Sequence, residues 1–324
     1  MPMEAALVPQ LPIGNEWQYE PKWDGFRCIA FRDGTEVMLQ SKSGKLLNRY
    51  FPELLSALRE VKAGRFVIDG EIVIADENGS DFDQLLQRIH PAASRVKMLS
   101  EEYPAHFEIF DLLSDDKGAS LLAESLSGRR QKLERFAKRY VPKNSLLRLS
   151  PMTTDIAAAA DWLKKQRSSL DGIVAKRRDL PYAAGERSAM KKFKRIRTAD
   201  CVVGGFRYAG ESRNAVGSLL LGLYEDGLLH HVGFVSGIKA NGRKTLLKKL
   251  KPLIQPPGFT GRAPGGPSRW STERSAQWEP LKPELVVEVS FDHVTANRFR
   301  HGTKILRWRP DKAPTQCGME QIAV

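Results

Sequence analysis

Six places along the chain set charged residues where the surrounding pattern calls for apolar ones. They are Lys22 in "KWDG", Glu71 in "DGE", Asp111 after "FEIF", Asp171 and Lys176 in "DGIVAK", Lys192 and Lys194 in "KKFK", and Arg309, Asp311 and Lys312 in "RWRPDK". Charges beside strand cores are costly to desolvate unless they are paired or put to chemical use. Each has an ordinary explanation. A strand-end lysine snorkels to water, Asp-Gly is a common turn, and the basic alternation of "MKKFKRIR" suits the solvated face of an edge strand. Gathered in one cleft, however, these residues suit a nucleoside triphosphate: cations hold phosphates, carboxylates hold Mg²⁺, and an aromatic face stacks on the base. Neither GxxxxGK[ST] nor a GxGxxG after a strand occurs, so such a nucleotide would not sit on a glycine-rich cradle.

The elements that must position these residues are legible as alternating patterns. "FRCIAFRDGTEVMLQS" holds two strand-like runs around Asp33-Gly34, a tight-turn dipeptide, with Arg32 beside the turn expected to face water. "YFPELLSALREV" places Phe51, Leu54, Leu55, Leu58 and Val61 on one helical face. "RFVIDGEIVIADENG" reads as a strand interrupted at Asp69-Gly70, and "AHFEIFDLL" as another strand. "GRRQKLERFAKRY" and "DIAAAADWLKKQ" are helical, the second with Asp155 as N-cap. "DGIVAKR" and "AMKKFKRI" are short strands. From "DCVVGGFRY" onward the pattern is mostly β, with a hairpin at Asp226-Gly227, a helix in "NGRKTLLKKLKPL", an exposed loop in "QPPGFTGRAPGGPSR", and final strands in "ELVVEVSFDHV" and "KILRWRP". About five strands and one helix suit a small closed β-barrel of the oligonucleotide-binding type, with a sandwich as the alternative. The expectation is an α+β chain of two domains, 1–197 and 198–324.

Bulk properties agree with two globular domains. The 324 residues exceed one compact core. A net charge of +13 points to an anionic partner, nucleotide or nucleic acid. The cysteines, Cys28, Cys201 and Cys317, are odd in number and far apart, so neither a disulfide framework nor a zinc site is expected and a reducing compartment is. No stretch approaches the ~20 apolar residues of a membrane span, and the N-terminus does not read as a targeting signal. A cytoplasmic protein is the expectation.

The ordered set resembles the ATP-dependent DNA ligases, members of the covalent nucleotidyltransferases. It comprises Lys-x-Asp-Gly (Lys22 to Gly25), Phe-x-x-Phe-Asp (Phe107 to Asp111), Asp-Gly-Ile-Val-x-Lys (Asp171 to Lys176), Lys-x-Lys (Lys192, Lys194) and Arg-x-Asp-Lys (Arg309 to Lys312). The likeness runs from about Leu11 to Cys317, and the chain's shortness is similar to that of the compact bacterial ligases grouped as ligase C. Among rivals, RNA ligases and capping-type guanylyltransferases share Lys-x-Asp-Gly, though "RWRPDK" leans to DNA. A basic, barrel-containing nucleic-acid binder without catalysis is the alternative of another class.

The resemblance implies an adenylation domain followed by an oligonucleotide-binding barrel, nick sealing with ATP and Mg²⁺ or Mn²⁺, and nicked duplex DNA as substrate. It makes Lys22 the nucleophile that takes AMP from ATP. Lysine near its ordinary pKa of ~10.4 is a poor nucleophile at neutral pH, so the site must favour the free amine. Lys192 and Lys194 would help while binding the α-phosphate. Phe110 would stack on adenine, Glu20 lie at the adenine edge, Glu71 near the ribose or a metal, and Arg27, Arg129 (with Arg130 competing) and Lys176 at the nucleotide. Arg309, Asp311 and Lys312 would close over the triphosphate. Two positions depart from the family pattern. Asp171 stands where glutamate is usual, as a shorter metal ligand, and Lys42 in "SKSG" replaces an arginine, a point charge in place of a bidentate fork. Further expectations from the likeness are a monomer at the nucleoid, in gap repair or end joining beside Ku-like and repair-polymerase partners.

Overall fold

The computed structural model describes residues 1–76, 79–80, 82–165, 170–194, 196–265 and 277–323. The chain divides into two compact units, Met1–Arg195 and Ile196–Val324.

The first unit holds two mostly antiparallel sheets and the helices that cover them. One sheet is built from β1 (Trp17–Trp23), β7 (Leu170–Arg177) and β8 (Met190–Lys194), with the short strand Ala6–Leu7 parallel to β8 at its edge. The other runs β3 (Glu36–Ser41), β2 (Phe26–Asp33), β4 (Arg65–Val73), β5 (His106–Ser114) and β6 (Leu147–Leu149). The β2–β3 hairpin forms as expected, Asp33 pairing with Glu36. Helix α1 (Pro52–Glu60) turns Leu54 and Leu58 into the core beside Phe51 and Val61, the 3.6-residue stripe read from sequence. Helix α2 (Leu126–Tyr140) buries Leu133 and Phe136 in the same core. Helix α3 (Ile156–Lys165) begins where Asp155 accepts the Ala157 N–H at 2.8 Å, so that residue does cap it.

Two expectations for this unit fail on inspection. The β4 strand is continuous through Asp69-Gly70, where pairing with β5 shifts register instead of breaking. Glycine serves close approach here: a Cβ at position 70 would lie 2.7 Å from the Glu108 carbonyl oxygen and from the Phe107 ring. Arg32 is only partly open to water. Its guanidinium donates to the carbonyls of Leu58, Val61 and Gly34 and thereby caps the C-terminal end of α1, whose last carbonyls lack helical partners.

The second unit is a barrel of the oligonucleotide-binding type. Its strands β9 (Arg197–Tyr208), β10 (Val216–Glu225), β11 (Leu228–Val235), β12 (Val286–Phe291) and β13 (Lys304–Trp308) lie in the order β11-β10-β9-β12-β13. A parallel bridge between Val235 and Thr303 links the two ends of that order. Helix α4 (Arg243–Leu250) follows β11 and buries Leu247 and Leu250 against the barrel core. The Pro/Gly-rich stretch is only partly an exposed loop. Phe259 enters the core, edge-on to His231 and Trp278, because an aromatic ring gains more from burial than the loop loses by following it inward. Its remainder, 266–269, lies outside the described residues.

Candidate active site

Strand alternation selects which residues of the first sheet share a face. Register rows across β1, β7 and β8 read Lys22–Gly172–Lys194, Glu20–Val174–Lys192 and Gln18–Lys176–Met190. Tyr19, Ile173 and Ala175 turn to the opposite face and pack with Ala159 of α3. The period of two therefore sets Glu20, Lys22, Lys176, Lys192 and Lys194 on one surface, with Lys191 out of phase. From the second sheet come Arg27 and Glu71, directly paired in register, and Phe110. Together the two sheets enclose a cavity of about 360 Å³, within the usual size of small-molecule sites. Its lining includes Glu20, Lys22, Arg27, Lys42, Glu71, Phe110, Lys176 and Lys192.

Two of the expected residues reach their places through β-bulges. Pairing of β1 with β7 skips from Leu170 to Gly172, which leaves Asp171 as the additional residue opposite Lys22. The Asp171 carboxylate takes the Lys22 ammonium directly, and the Lys194 Nζ lies 3.7 Å from the same oxygen. Gly172 is required there, since a Cβ would stand 2.0 Å from the Phe193 carbonyl oxygen. On β5 the pairing skips from Asp111 to Ile109, and Phe110 is the residue so released. Bulges re-aim side chains in this way beside functional sites.

The base-sized end of the cavity is a chain of paired charges around an aromatic ring. Lys176, 3% exposed, donates to Glu20 at 2.6 Å, and Gln18 donates to the other oxygen of Glu20 at 2.9 Å. The Lys176 Nζ lies 4.2 Å from the centroid of Phe110, and the Arg27 guanidinium 4.3 Å. Arg27 grips Asp69 with two bonds of 2.7 Å, and Tyr182 donates to that carboxylate at 2.6 Å. Burial pushes the Glu71 carboxyl up to about 7 against the pull of Arg27 and Lys22. Burial and the neighbouring cations Lys22, Lys194, Lys42 and Arg187 lower the Lys192 amine.

Some expected residues are placed elsewhere. Arg129 is fully buried and does not line the cavity. It makes a bidentate pair with Asp111 at 2.8 and 2.9 Å and donates to the Glu124 carbonyl at 2.6 Å. Arg130 instead holds the Ser150 carbonyl and Glu134. Lys42 lines the cavity, with its amine 2.9 Å from Glu4. In the barrel unit, Arg309 and Lys312 both donate to Asp200, at 2.9 and 2.8 Å, and Asp311 pairs with Arg309. Asp69, Tyr182, Glu4, Arg187 and Asp200 did not stand out in the sequence. Of these, Asp69 had a signal: a carboxylate two residues before Glu71 lies on the same strand face.

Comparison with known proteins agrees with this geometry. The family described as "ATP dependent DNA ligase domain" matches residues 5–194, and "ATP dependent DNA ligase C terminal region" matches 212–312. DNA ligase C1 of Mycolicibacterium smegmatis is 45% identical over 99% of this chain and 94% of its own length. DNA ligase C of Mycobacterium tuberculosis is 41% identical over 99% and 93%. A solved Lig E DNA ligase shares the fold at 17% identity, with a TM-score of 0.59 over 95% of this chain and 98% of that one. With matching domains along both units and relatives this similar over nearly the whole length, the chain belongs to the ATP-dependent DNA ligases.

Proposed function

We propose that the protein seals 5′-phosphate/3′-hydroxyl nicks in duplex DNA with ATP, through a lysyl-AMP intermediate on Lys22. The observation that carries this reading is the placement of Lys22: its amine stands on a strand at the cavity wall, held by Asp171 in its bulge, among Arg27, Lys192 and Lys194. In the first step the free amine attacks the α-phosphorus of ATP. The N–P bond forms, the bond to the bridging oxygen breaks, and pyrophosphate leaves, with the amine's proton departing along the hydrogen bond to Asp171. AMP then passes to the 5′-phosphate of the nick, and the 3′-hydroxyl displaces it as the strand closes. Each displacement spreads charge over phosphate oxygens, so fixed cations do most of the stabilising.

The adenine is assigned to the end lined by Phe110, Glu20 and Lys176. Lys176, buried and paired with Glu20 beside Phe110, and Arg27, paired with Asp69 over the same ring, belong to the base end, whereas Lys22, Lys192 and Lys194 form the phosphate end. Asp171 and Glu71 offer hard carboxylate oxygens, the donor type that suits Mg²⁺ or Mn²⁺. A divalent ion bound there would neutralise phosphate charge. Residues 1–197 act as the adenylation domain and 198–324 as the barrel domain, whose Arg309, Asp311 and Lys312 orient the leaving pyrophosphate. Arg243, Lys244, Lys248 and Lys249 of the α4 segment hold duplex phosphates without reading sequence. The likeness to compact ligases supports gap repair or end joining at the nucleoid, by a monomer beside Ku-like and repair-polymerase partners.

Incubation with labelled ATP or GTP tests the chemistry: a covalent AMP adduct is expected, and labelling by GTP alone would transfer the reading to a capping-type enzyme. Sealing assays on nicked DNA and RNA/DNA duplexes then fix the substrate.

A further inference from the structure

The segment that follows Arg309–Lys312 folds back onto the strand that begins the barrel. The β9–β10 ladder ends at the pair Val202–Gly222, and its register, if continued, would set Asp200 opposite Tyr224. The two strands do not meet there, because residues 317–321 enter between them. The Tyr224 N–H donates to the Cys317 carbonyl at 2.8 Å, and Gln321 takes the place of the missing partner of Asp200. Its Oε1 accepts the Asp200 N–H at 2.9 Å, and its Nε2 donates to the Asp200 carbonyl at 3.1 Å. A carboxamide carries the same donor and acceptor as a peptide group, so one side chain satisfies both backbone groups that β10 leaves behind. Cys317, Met319 and Ile322 are buried in the barrel core and anchor the segment. On its side-chain end, the same Asp200 accepts Arg309 at 2.9 Å and Lys312 at 2.8 Å. The stretch from Arg309 to Gln321 is therefore a loop closed at both ends on one residue, first on its carboxylate and then on its backbone.

We infer that Gln321 is a positioning residue for the first step of sealing, acting through Asp200 on Arg309 and Lys312. A carboxylate aims two cations only as well as its own backbone is fixed. In a strand the N–H and C=O of one residue point to the same side, so at Asp200 both are turned to Gln321, and the pairing with Glu288 on the other side is of the kind without hydrogen bonds. Without the carboxamide, both groups would have to find water, the start of β9 would loosen, and the carboxylate would shift with it. Arg309 and Lys312 keep part of their surface open, with side chains 19% and 23% exposed, so they remain able to meet an anion while Asp200 holds them. This inference rests on the reading that these two cations orient the leaving pyrophosphate, and it extends that apparatus to a residue outside the charged motif.

The test compares the full chain with Gln321→Met, which keeps the length of the side chain and removes both hydrogen bonds, with Asp200→Asn, and with the double variant. Single-turnover self-adenylation is followed across ATP concentrations, and the sealing of a pre-adenylated nick is followed in parallel. Gln321→Met is expected to slow self-adenylation at saturating ATP on the order of tenfold, since small misplacements of an aligned group have effects of that size or larger. Half-saturating ATP should stay within about twofold, and the pre-adenylated nick should be sealed at the wild-type rate. The double variant should be no slower than Asp200→Asn, because the two residues act in series. A Gln321→Met chain that adenylates like an active wild type, that slows both reactions alike as a loosened barrel would, or whose loss multiplies with that of Asp200→Asn overturns the inference. A wild-type chain that forms no AMP adduct overturns the ligase reading and this inference with it, so the wild-type reaction tells the two failures apart.

Discussion

Arg129 gives the sharpest test of structure against resemblance. The family likeness places an arginine of this segment at the nucleotide, whereas in the structure the Arg129 side chain is inaccessible and its bonds go to Asp111 and the Glu124 carbonyl. Burial pushes the Asp111 carboxyl up and the Arg129 guanidinium opposes that shift. Arg129→Met would strand the carboxylate in the interior, and breaking a buried pair from one side costs about 3–5 kcal/mol. That is a fifth or more of the roughly 5–15 kcal/mol that holds a domain folded. For a unit of this size, each kcal/mol lowers the melting temperature by about 2–4 °C, so a drop on the order of 10 °C is expected. Urea unfolding followed by circular dichroism should show a lower midpoint at unchanged slope. The ATP dependence of adenylation, measured well below the transition, should stay within about twofold, and Asp111→Asn added to Arg129→Met should recover part of the loss by removing the stranded charge. A variant of wild-type stability that needs tenfold more ATP would refute this reasoning and return Arg129 to the nucleotide.

Three further outcomes are expected. Lys22→Ala should form no AMP adduct and seal no ordinary nick, yet still join a pre-adenylated nick, since only the first step consumes the amine; gel assays with the two substrates separate the cases. Glu71 and Glu108, register partners on β4 and β5, both have carboxyls pushed up to about 7 by burial. The folded state therefore holds their protons more tightly than the unfolded chain, with its carboxyls near ~4.3. Their contribution is full below that value and fades as pH rises through 7; urea midpoints should fall between pH 5 and 8, and Glu108→Gln should flatten the profile. Asp200→Asn, by removing the carboxylate that positions Arg309 and Lys312, should slow adenylation at least tenfold while sparing the sealing of a pre-adenylated nick, which rapid-quench kinetics would resolve.

Much of the molecule was legible because it depends on local periodicity. The two-residue alternation puts Glu20, Lys22, Lys176, Lys192 and Lys194 on one sheet face whatever lies around them, and the α1 stripe and the Asp226-Gly227 hairpin are equally local. Long-range geometry was not legible. A bulge is a mismatch between two strands distant in sequence, so neither Asp171 opposite Lys22 nor the release of Phe110 is visible in either strand alone. Arg32 and Arg129 looked like surface or ligand-binding cations, because nothing in their neighbourhoods of sequence indicates which carbonyl ends or which carboxylate will meet them. The order of the chemical groups, the strand face of most of them and the family to which they point follow from local residue order. Which charges neutralise one another, as Glu20 does Lys176 and Glu4 does Lys42 and Arg187, depends on the folded chain, because ion pairing requires distances of a few ångströms between segments that the local pattern leaves independent.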